Sequence, residues 1–166
     1  PQLKARGVDL SLGRENLALQ ATPVTDLMAN DFITLKDTAS VGEAMSQMAR
    51  GRCAEAHLCD GDDKWVGKLC LYALVNEAQD APARRYLEKA PLVLQARQTA
   101  LQAQSAMTDF IGEAVPVLDD GKLIGIVHEA DLFAHARMVT QAIWQHDHDD
   151  DVRDRHAFAS TKDMKR

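Results

Sequence analysis

A glycine, a histidine and an aspartate spaced three residues apart form the strongest candidate for ligand chemistry in this 166-residue chain. Gly125 lies in an apolar run that predicts a strand, and a glycine there allows another backbone or a ligand to come close. His128 would offer a phosphate a partial positive charge near neutral pH. Asp131 is predicted to begin a helix, where its carboxylate would accept hydrogen bonds from the hydroxyl groups of a ribose or cap the helix itself. The spacing therefore predicts a binding site for a small molecule.

Other chemically active residue types lack the spacing that catalysis or metal binding requires. The chain contains no nucleophile-elbow motif, no Walker loop and no nucleophile with a base close by in the sequence. Cys53, His57 and Cys59 offer only three potential zinc ligands, without the paired spacing of structural zinc sites. The His- and Asp-rich segment 146–156 could collect a divalent cation, but a solvated acidic tail is the simpler interpretation. We expect no catalytic residue and no metal.

The sequence pattern that predicts the helices and strands around the candidate site occurs twice along the chain. Segment 40–43 recurs as segment 99–102, a separation of 59 residues, and both begin with a helix-capping hydroxyl. The separation falls to 58 after a hairpin turn that is one residue longer in the first copy, so that Gly67 corresponds to Gly125. Two copies of one fold would tolerate an insertion confined to a turn. We therefore expect function where the copies differ and in the crevice between them.

Each copy is predicted to contain, in order, a helix, a strand, a helix, two strands and a helix. In the first copy they are predicted at residues 22–28 and 32–35, in a helix that begins at Ser40 and includes Met48, at residues 55–59 and 65–71, and in a closing helix through Leu74 and Val75 up to about residue 79. In the second copy they are predicted at residues 82–88, 92–94, 99–108, 114–118, 122–128 and 131–143. The predicted fold class is α+β with two pseudo-symmetric repeats. The corresponding boundaries are an N-terminal connector, two domains and a polar acidic tail, at residues 1–21, 22–79, 80–143 and 144–166.

Composition limits the possible partners and the compartment. A hydrophobic content of 46% is enough to bury a core, but two copies of about 60 residues would be marginal alone and should pack together. The net charge of −6 argues against a nucleic-acid partner. An odd number of cysteines, three in all, favours a reducing cytosol over a secreted disulfide framework. No apolar run approaches 18 residues, and a start at Pro1 suggests a fragment of a longer protein.

The repeated pattern resembles a tandem pair of CBS domains, the Bateman module. The resemblance covers residues 22–142 and is most specific at residues 114–132 (AVPVLDDGKLIGIVHEADL), with a weaker echo at residues 55–75 (EAHLCDGDDKWVGKLCLYALV). It implies an α+β fold and a regulatory rather than enzymatic role. It also implies assembly as a homodimer of CBS pairs, and often the binding of an adenosine nucleotide in a cleft between the repeats.

The resemblance also supplies a ligand motif, which this chain matches only in part. The motif is a glycine, then serine or threonine three residues later, then aspartate six residues after the glycine. Gly125 and Asp131 match in the second copy, His128 replaces the hydroxyl, and Val115 and Pro116 on the neighbouring strand complete the candidate site. In the first copy the two polar positions carry a cysteine and an alanine. At most one site per chain is therefore expected for AMP, ADP or ATP, with the first cleft empty or differently used.

The segment that precedes the first copy resembles the connector of chloride-channel-type (CLC) transporters. There, a run ending in Gly-Arg-Glu joins the last membrane helix to a Val-x-Asp-x-Met helix of the cytosolic CBS pair, as in residues 13–15 and 24–28 here. This implies the regulatory region of a CLC-type channel or antiporter at the cytosolic face of the membrane, with an upstream transmembrane domain as partner. The alternatives are a ligand-free dimerisation scaffold and a CBS module of a different membrane or soluble protein.

Overall fold

A computed structural model describes the backbone of residues 13–164 and the side chains of residues 13–146, 148 and 149. Most of the predicted connector and the end of the predicted acidic tail lie outside the described side chains. After helix α1 (residues 13–21), the first repeat comprises, in order, a 3-10 helix (Val24–Leu27), β1 (Thr34–Lys36), α2 (Val41–Gly51), β2 (Glu55–Cys59), β3 (Trp65–Cys70) and α3 (Leu71–Leu74). The second comprises a 3-10 helix (Ala83–Tyr86), β4 (Leu94–Gln95), α4 (Ala100–Ala106), β5 (Ala114–Asp119), β6 (Lys122–His128) and α5 (Glu129–Met164).

Two three-stranded sheets with the same topology confirm the α+β prediction. Each sheet has a parallel pair and an antiparallel hairpin, in the orders β1-β2-β3 and β4-β5-β6. The registers correspond as well, since Leu58 faces Gly67 in one hairpin and Val117 faces Gly125 in the other. The two hairpins meet where the Trp65 N–H donates to the Gly121 carbonyl at 2.9 Å.

Capping side chains start α2 and α4 as predicted. The Ser40 hydroxyl accepts from the Glu43 N–H at 3.1 Å, and the Thr99 hydroxyl accepts from the Gln102 N–H at 3.3 Å. The reciprocal bond, from the Thr99 N–H to the Gln102 side chain, closes a complete capping box in the second repeat. In the first repeat only the Ser40 half of the predicted box forms between these two residues.

The segment leading into each repeat is built into the other repeat. Leu19 and Val24 are buried in the hydrophobic core of the second repeat, and Ala83 is buried in that of the first. Equivalent backbone bonds fix both crossings. The Val24 N–H donates to the Gln98 carbonyl at 2.9 Å, and the Ala83 N–H donates to the Ala39 carbonyl at 3.0 Å. The repeats are therefore interlocked through residues that precede their first strands.

This interlocking explains why Gly67 and Gly125 are glycines. A Cβ on Gly125 would lie 2.7 Å from Met28 Sδ and 2.9 Å from Met28 Cβ. A Cβ on Gly67 would lie 2.9 Å from Leu87 Cδ1. In both hairpins the glycine makes room for the segment that arrives from the other repeat. The close approach predicted from the sequence is made by the chain itself.

Several predicted boundaries are wrong for identifiable reasons. The closing helix of the first repeat ends at Leu74 instead of near residue 79, because the Gln79 carbonyl turns back to accept from the Gly42 N–H at 2.9 Å. Thr22 does not cap the following helix; its hydroxyl donates to the Ala18 carbonyl at 2.9 Å and closes α1. The helices predicted at residues 22–28 and 82–88 are single 3-10 turns. Strands β1 and β4 begin two residues late, where pairing with β2 and β5 begins.

The last helix differs most from its prediction. α5 runs for 36 residues from Glu129 to Met164, where a helix over 131–143 was predicted. Asp131 is therefore the third residue of α5 and does not cap it. Among residues 13–164, no helix combines the length and the apolar character that a membrane crossing requires.

Candidate functional site

Of the five residues predicted to form the site, only two present their side chains at the surface. Val115 and Pro116 are buried in β5, and Gly125 is buried in β6 beneath Met28. His128 ends β6 and is 30% exposed, whereas Asp131 is exposed on the first turn of α5. The β5–β6 hairpin thus positions His128 and Asp131, and the buried three hold the hairpin in place.

Asp131 is well placed for hydrogen bonding to a ligand. A carboxylate in the first turn of a helix is favoured by the partial positive charge of the helix N-terminus. Since Asp131 does not serve as the cap, its oxygens are not committed to the backbone of α5. The side chain is therefore free to accept hydrogen bonds, and its contact with a ribose stays a prediction.

His128 has a partner that the motif did not reveal. Its Nε2 lies 3.0 Å from Oδ1 and 3.2 Å from Oδ2 of Asp31, which is 68% exposed and lies between the first 3-10 helix and β1. The hydrogen bond to Asp31 raises the pKa of His128, and the same bond lowers the pKa of Asp31. The positive charge predicted for a phosphate is thus already paired with a carboxylate. The two residues are 97 positions apart, and no local sequence signal connects them.

Two adjoining cavities lie at this end of the β5–β6 hairpin, and we call them together the second cleft. The inner cavity is about 110 Å³ and is lined by both repeats: Asp31, Phe32, Arg52, Cys53, Glu55, His57, Glu113, Ala114, Ile126 and His128. The outer cavity is about 550 Å³ and is lined by Gly112, Glu113, His128, Glu129, Ala130 and Phe133. The outer volume is in the range of small-molecule sites, and the inner volume suits a few water molecules.

Carboxylates dominate the charge of the second cleft. Asp31, Glu55, Glu113 and Glu129 line it, against the cations Arg52 and His128. A ligand with several negative charges would meet repulsion there, whereas a nucleoside or a nucleotide with few phosphates would meet less. This charge pattern bears on the choice among AMP, ADP and ATP that the sequence left open.

A still larger cavity, of about 760 Å³, lies at the opposite end of the sheets. It is lined by the ends of β1 and β2, by the first hairpin turn and by the start of β6, at residues 34–38, 59–61, 63 and 122–124. Because β6 begins there and ends at His128, this cavity is remote from the candidate site. Neither His128 nor Asp131 lines it.

A buried lysine lies beside Gly67, the counterpart of Gly125 in the first repeat. Lys68 directly follows Gly67 and is only 2% exposed; its Nζ lies 2.7 Å from Glu55 Oε2 and 3.1 Å from Glu88 Oε2. Burial lowers the pKa of Lys68, but the hydrogen bonds and charges of the two glutamates outweigh this and leave it raised. Lys68 is therefore a buried cation with two anionic partners.

These three side chains also connect the two repeats. Lys68 Nζ donates to the Ala114 carbonyl at 3.4 Å and lies 5.4 Å from the centre of the Phe110 ring. Glu55 Oε1 accepts from the Glu113 N–H at 3.2 Å and from the Ala114 N–H at 3.3 Å. We call Lys68, Glu55 and Glu88 the Lys68 network. Lys68 is the one charged residue in the sequence of β3, and this is the sequence signal that could have indicated the network.

The residues considered for zinc have other contacts. His57 is 3% exposed, and its Nδ1 accepts a hydrogen bond from Trp65 Nε1 at 3.1 Å. Burial lowers the pKa of His57 to about 4, so its ring is neutral at pH 7. Burial raises the pKa of the Cys59 thiol. Within the described residues, no group of three or more histidine, cysteine or carboxylate side chains is arranged to hold a metal ion.

Comparison with known proteins identifies the architecture. The model of the CBS domain family matches residues 83–137, which form most of the second repeat. The first repeat lies outside this match but has the same sheet topology.

One curated relative covers much of this chain but is far longer. The A-adding tRNA nucleotidyltransferase of Aquifex aeolicus is 26% identical over 112 residues, which are 66% of this chain and 14% of the relative. The chain thus spans about one seventh of that protein's length.

Solved structures reproduce the paired arrangement. The CBS pair domain of a putative Mg²⁺ transporter from Shewanella oneidensis matches with a TM-score of 0.66 and 24% identity, over 75% of this chain and 78% of that one. The cytosolic domain of the Mg²⁺ channel MgtE in complex with ATP matches with a TM-score of 0.63 and 17% identity, over 72% and 51% of the two chains. At these identities the likeness establishes the fold.

Proposed function

We propose that this chain is a regulatory CBS pair that senses an adenine nucleotide in the second cleft. The observation that carries the proposal is the exposed Asp131 carboxylate on the first turn of α5, close to His128, which lines a cavity of about 550 Å³. The carboxylate would hold the ribose hydroxyls, and the imidazole would face the phosphate. The ATP complex of the MgtE cytosolic domain supports this choice, because that domain has the same fold.

The proposed mechanism is a shift between arrangements of the two repeats. The second cleft is lined by residues of both repeats, including Phe32 and Arg52 from the first and Glu113 from the second. A ligand that binds one arrangement better increases its population. A coupling of about 1–3 kcal/mol is typical of such linkage and is enough to alter the activity of an attached domain.

The attached domain is proposed to be a membrane transporter. The N-terminal resemblance favours a CLC-type chloride channel or antiporter, with this chain at the cytosolic face of the membrane. The Mg²⁺ transporter domains among the structural neighbours support a transport protein in general. Sequencing of the complete gene product tests this: several apolar segments of about 20 residues upstream are expected. Their absence would leave a CBS module of a different kind of protein.

Calorimetric titration tests nucleotide sensing directly. Adenosine, AMP, ADP and ATP are titrated into the wild-type chain and into the Asp131→Ala variant. We expect about one site per chain and a loss of affinity of at least about tenfold in the variant, because the ribose loses two hydrogen bonds. Asp26→Ala, which removes a carboxylate from the first 3-10 helix, is the matched control. No heat from any of the four at millimolar concentration would contradict the proposal.

A ligand-free dimerisation scaffold is the second candidate. It is favoured by large apolar side chains that remain exposed on α3 and α5: Tyr72 at 80%, Met138 at 66% and Trp144 at 63%. A second CBS pair packed on these helices would cover them. Sedimentation analysis together with calorimetry separates the two functions, since a scaffold forms a dimer and gives no nucleotide signal.

A further inference from the structure

Asp31 occupies the position next to His128 that an anionic ligand group would need. The carboxylate contacts Nε2 through both oxygens, at 3.0 and 3.2 Å. It is supplied by the first repeat, whereas His128 belongs to the second. The pair is therefore a tie between the repeats, at the wall shared by the two cavities of the second cleft.

We propose that Asp31 is a built-in competitor for the anionic part of the cleft ligand, so that a phosphate that reaches His128 must displace the Asp31 carboxylate. This inference rests on the proposed function in taking a nucleotide as the ligand. A phosphate and a carboxylate held by one imidazolium would be about 4 Å apart and would repel each other. Glu113 and Asp131 also lie close to this imidazole, Glu129 lines the outer cavity with it, and the other cation of the cleft, Arg52, lines only the inner cavity.

The segment that carries Asp31 contacts both repeats, and the Asp31 carbonyl lies 3.9 Å from Cys53 Sγ of the first repeat. Ala29 exchanges two backbone hydrogen bonds with Ile126, at 2.8 and 3.1 Å, and Met28 packs over Gly125. These contacts fix the segment to the second repeat up to residue 29. Beyond that point Asp31 is the side chain that holds the segment to His128 before the chain enters β1 of the first repeat. If a ligand displaced Asp31, the direct contact between Asp31 and His128 would be replaced by contacts that the repeats make through the ligand.

Titration of an isosteric variant tests the competition. Adenosine and AMP are titrated into the wild-type chain, Asp31→Asn and Glu129→Gln, the last of which removes a nearby charge that does not contact His128. We expect Asp31→Asn to raise the affinity for AMP about threefold to tenfold and to change that for adenosine less than about twofold. Glu129→Gln should give a smaller gain for AMP. Equal AMP affinity in the wild type and Asp31→Asn would overturn the inference while leaving nucleotide sensing intact.

A second measurement keeps the inference testable without nucleotide binding. The imidazole signals of His128 are followed by NMR during titration with inorganic phosphate, with His128→Gln used to assign them. If Asp31 competes, the phosphate concentration that gives half of the shift is lower in Asp31→Asn than in the wild type. That result together with silent nucleotides would refute the proposed function and support the competition. Identical phosphate titrations of the two proteins would overturn the competition.

Discussion

His57 shows how a single buried side chain makes the fold sensitive to acid. Its pKa is lowered to about 4 by burial, against an ordinary value of 6.5. A neutral ring is also what the Trp65 bond requires, since Nδ1 accepts the indole proton. The folded state therefore disfavours the protonated ring. The resulting contribution to stability is fully present above pH 6.5 and is lost as the pH falls toward 4.

We expect the free energy of unfolding to decrease by up to about 3 kcal/mol from this residue between pH 6.5 and 4. Urea unfolding across that range, on the wild type and on His57→Asn, checks the expectation. Asparagine does not titrate, so the variant should show a flatter dependence on pH. Carboxylates titrate in the lower part of the range in both proteins, and the difference between the curves isolates His57. Parallel curves would mean that His57 does not carry this dependence.

Among the strands, β6 and β3 each have a glycine, Gly125 and Gly67, where a segment from the other repeat packs closely against them. Gly125→Ala should destabilise the fold by about 1–3 kcal/mol, because the new Cβ would overlap Met28. Gly61→Ala is the control, since a Cβ at Gly61 would meet no atom within 4 Å. Denaturant midpoints measure both. Met28→Ala introduced into the Gly125→Ala background should cost less than Met28→Ala alone. Full stability of Gly125→Ala would show that Met28 does not set the constraint.

Sequence patterns predicted the elements well where the determinants are local. The capping segments at Ser40 and Thr99 and the two hairpins depend on residues within a few positions of one another. The end of α3 could not be predicted, because the bond from Gly42 to Gln79 joins segments far apart in the chain. The same distinction applies to the site. The motif drew attention to His128 and Asp131 because they are close together in the chain, but nothing local connects His128 to Asp31.

The Lys68 network stabilises the packing of the two repeats in the complete fold, because Lys68 and Glu55 bond to backbone groups of the second repeat. Lys68→Met should destabilise the fold by about 2–4 kcal/mol, because Glu55 and Glu88 would be left with reduced compensation for burial. The partial exposure of Glu88, at 32%, limits the loss. Urea unfolding of Lys68→Met, compared with Lys68→Met combined with Glu55→Gln and Glu88→Gln, checks the cause. The triple variant should recover part of the stability, and a single variant as stable as the wild type would contradict the expectation.

The crossing of the two leading segments decides where a mechanical load on the N-terminal end is borne. Leu19 of α1 is inserted into the core of the second repeat, although α1 precedes the first repeat in the chain. A pull on α1 therefore acts first on the core of the second repeat, which includes residues of the hairpin that ends at His128. The first repeat receives this load through the contacts between the repeats, among them the Asp31–His128 pair and the Lys68 network. The N-terminal helix α1 is thus anchored in the second repeat, although it is the first repeat that follows it in the sequence.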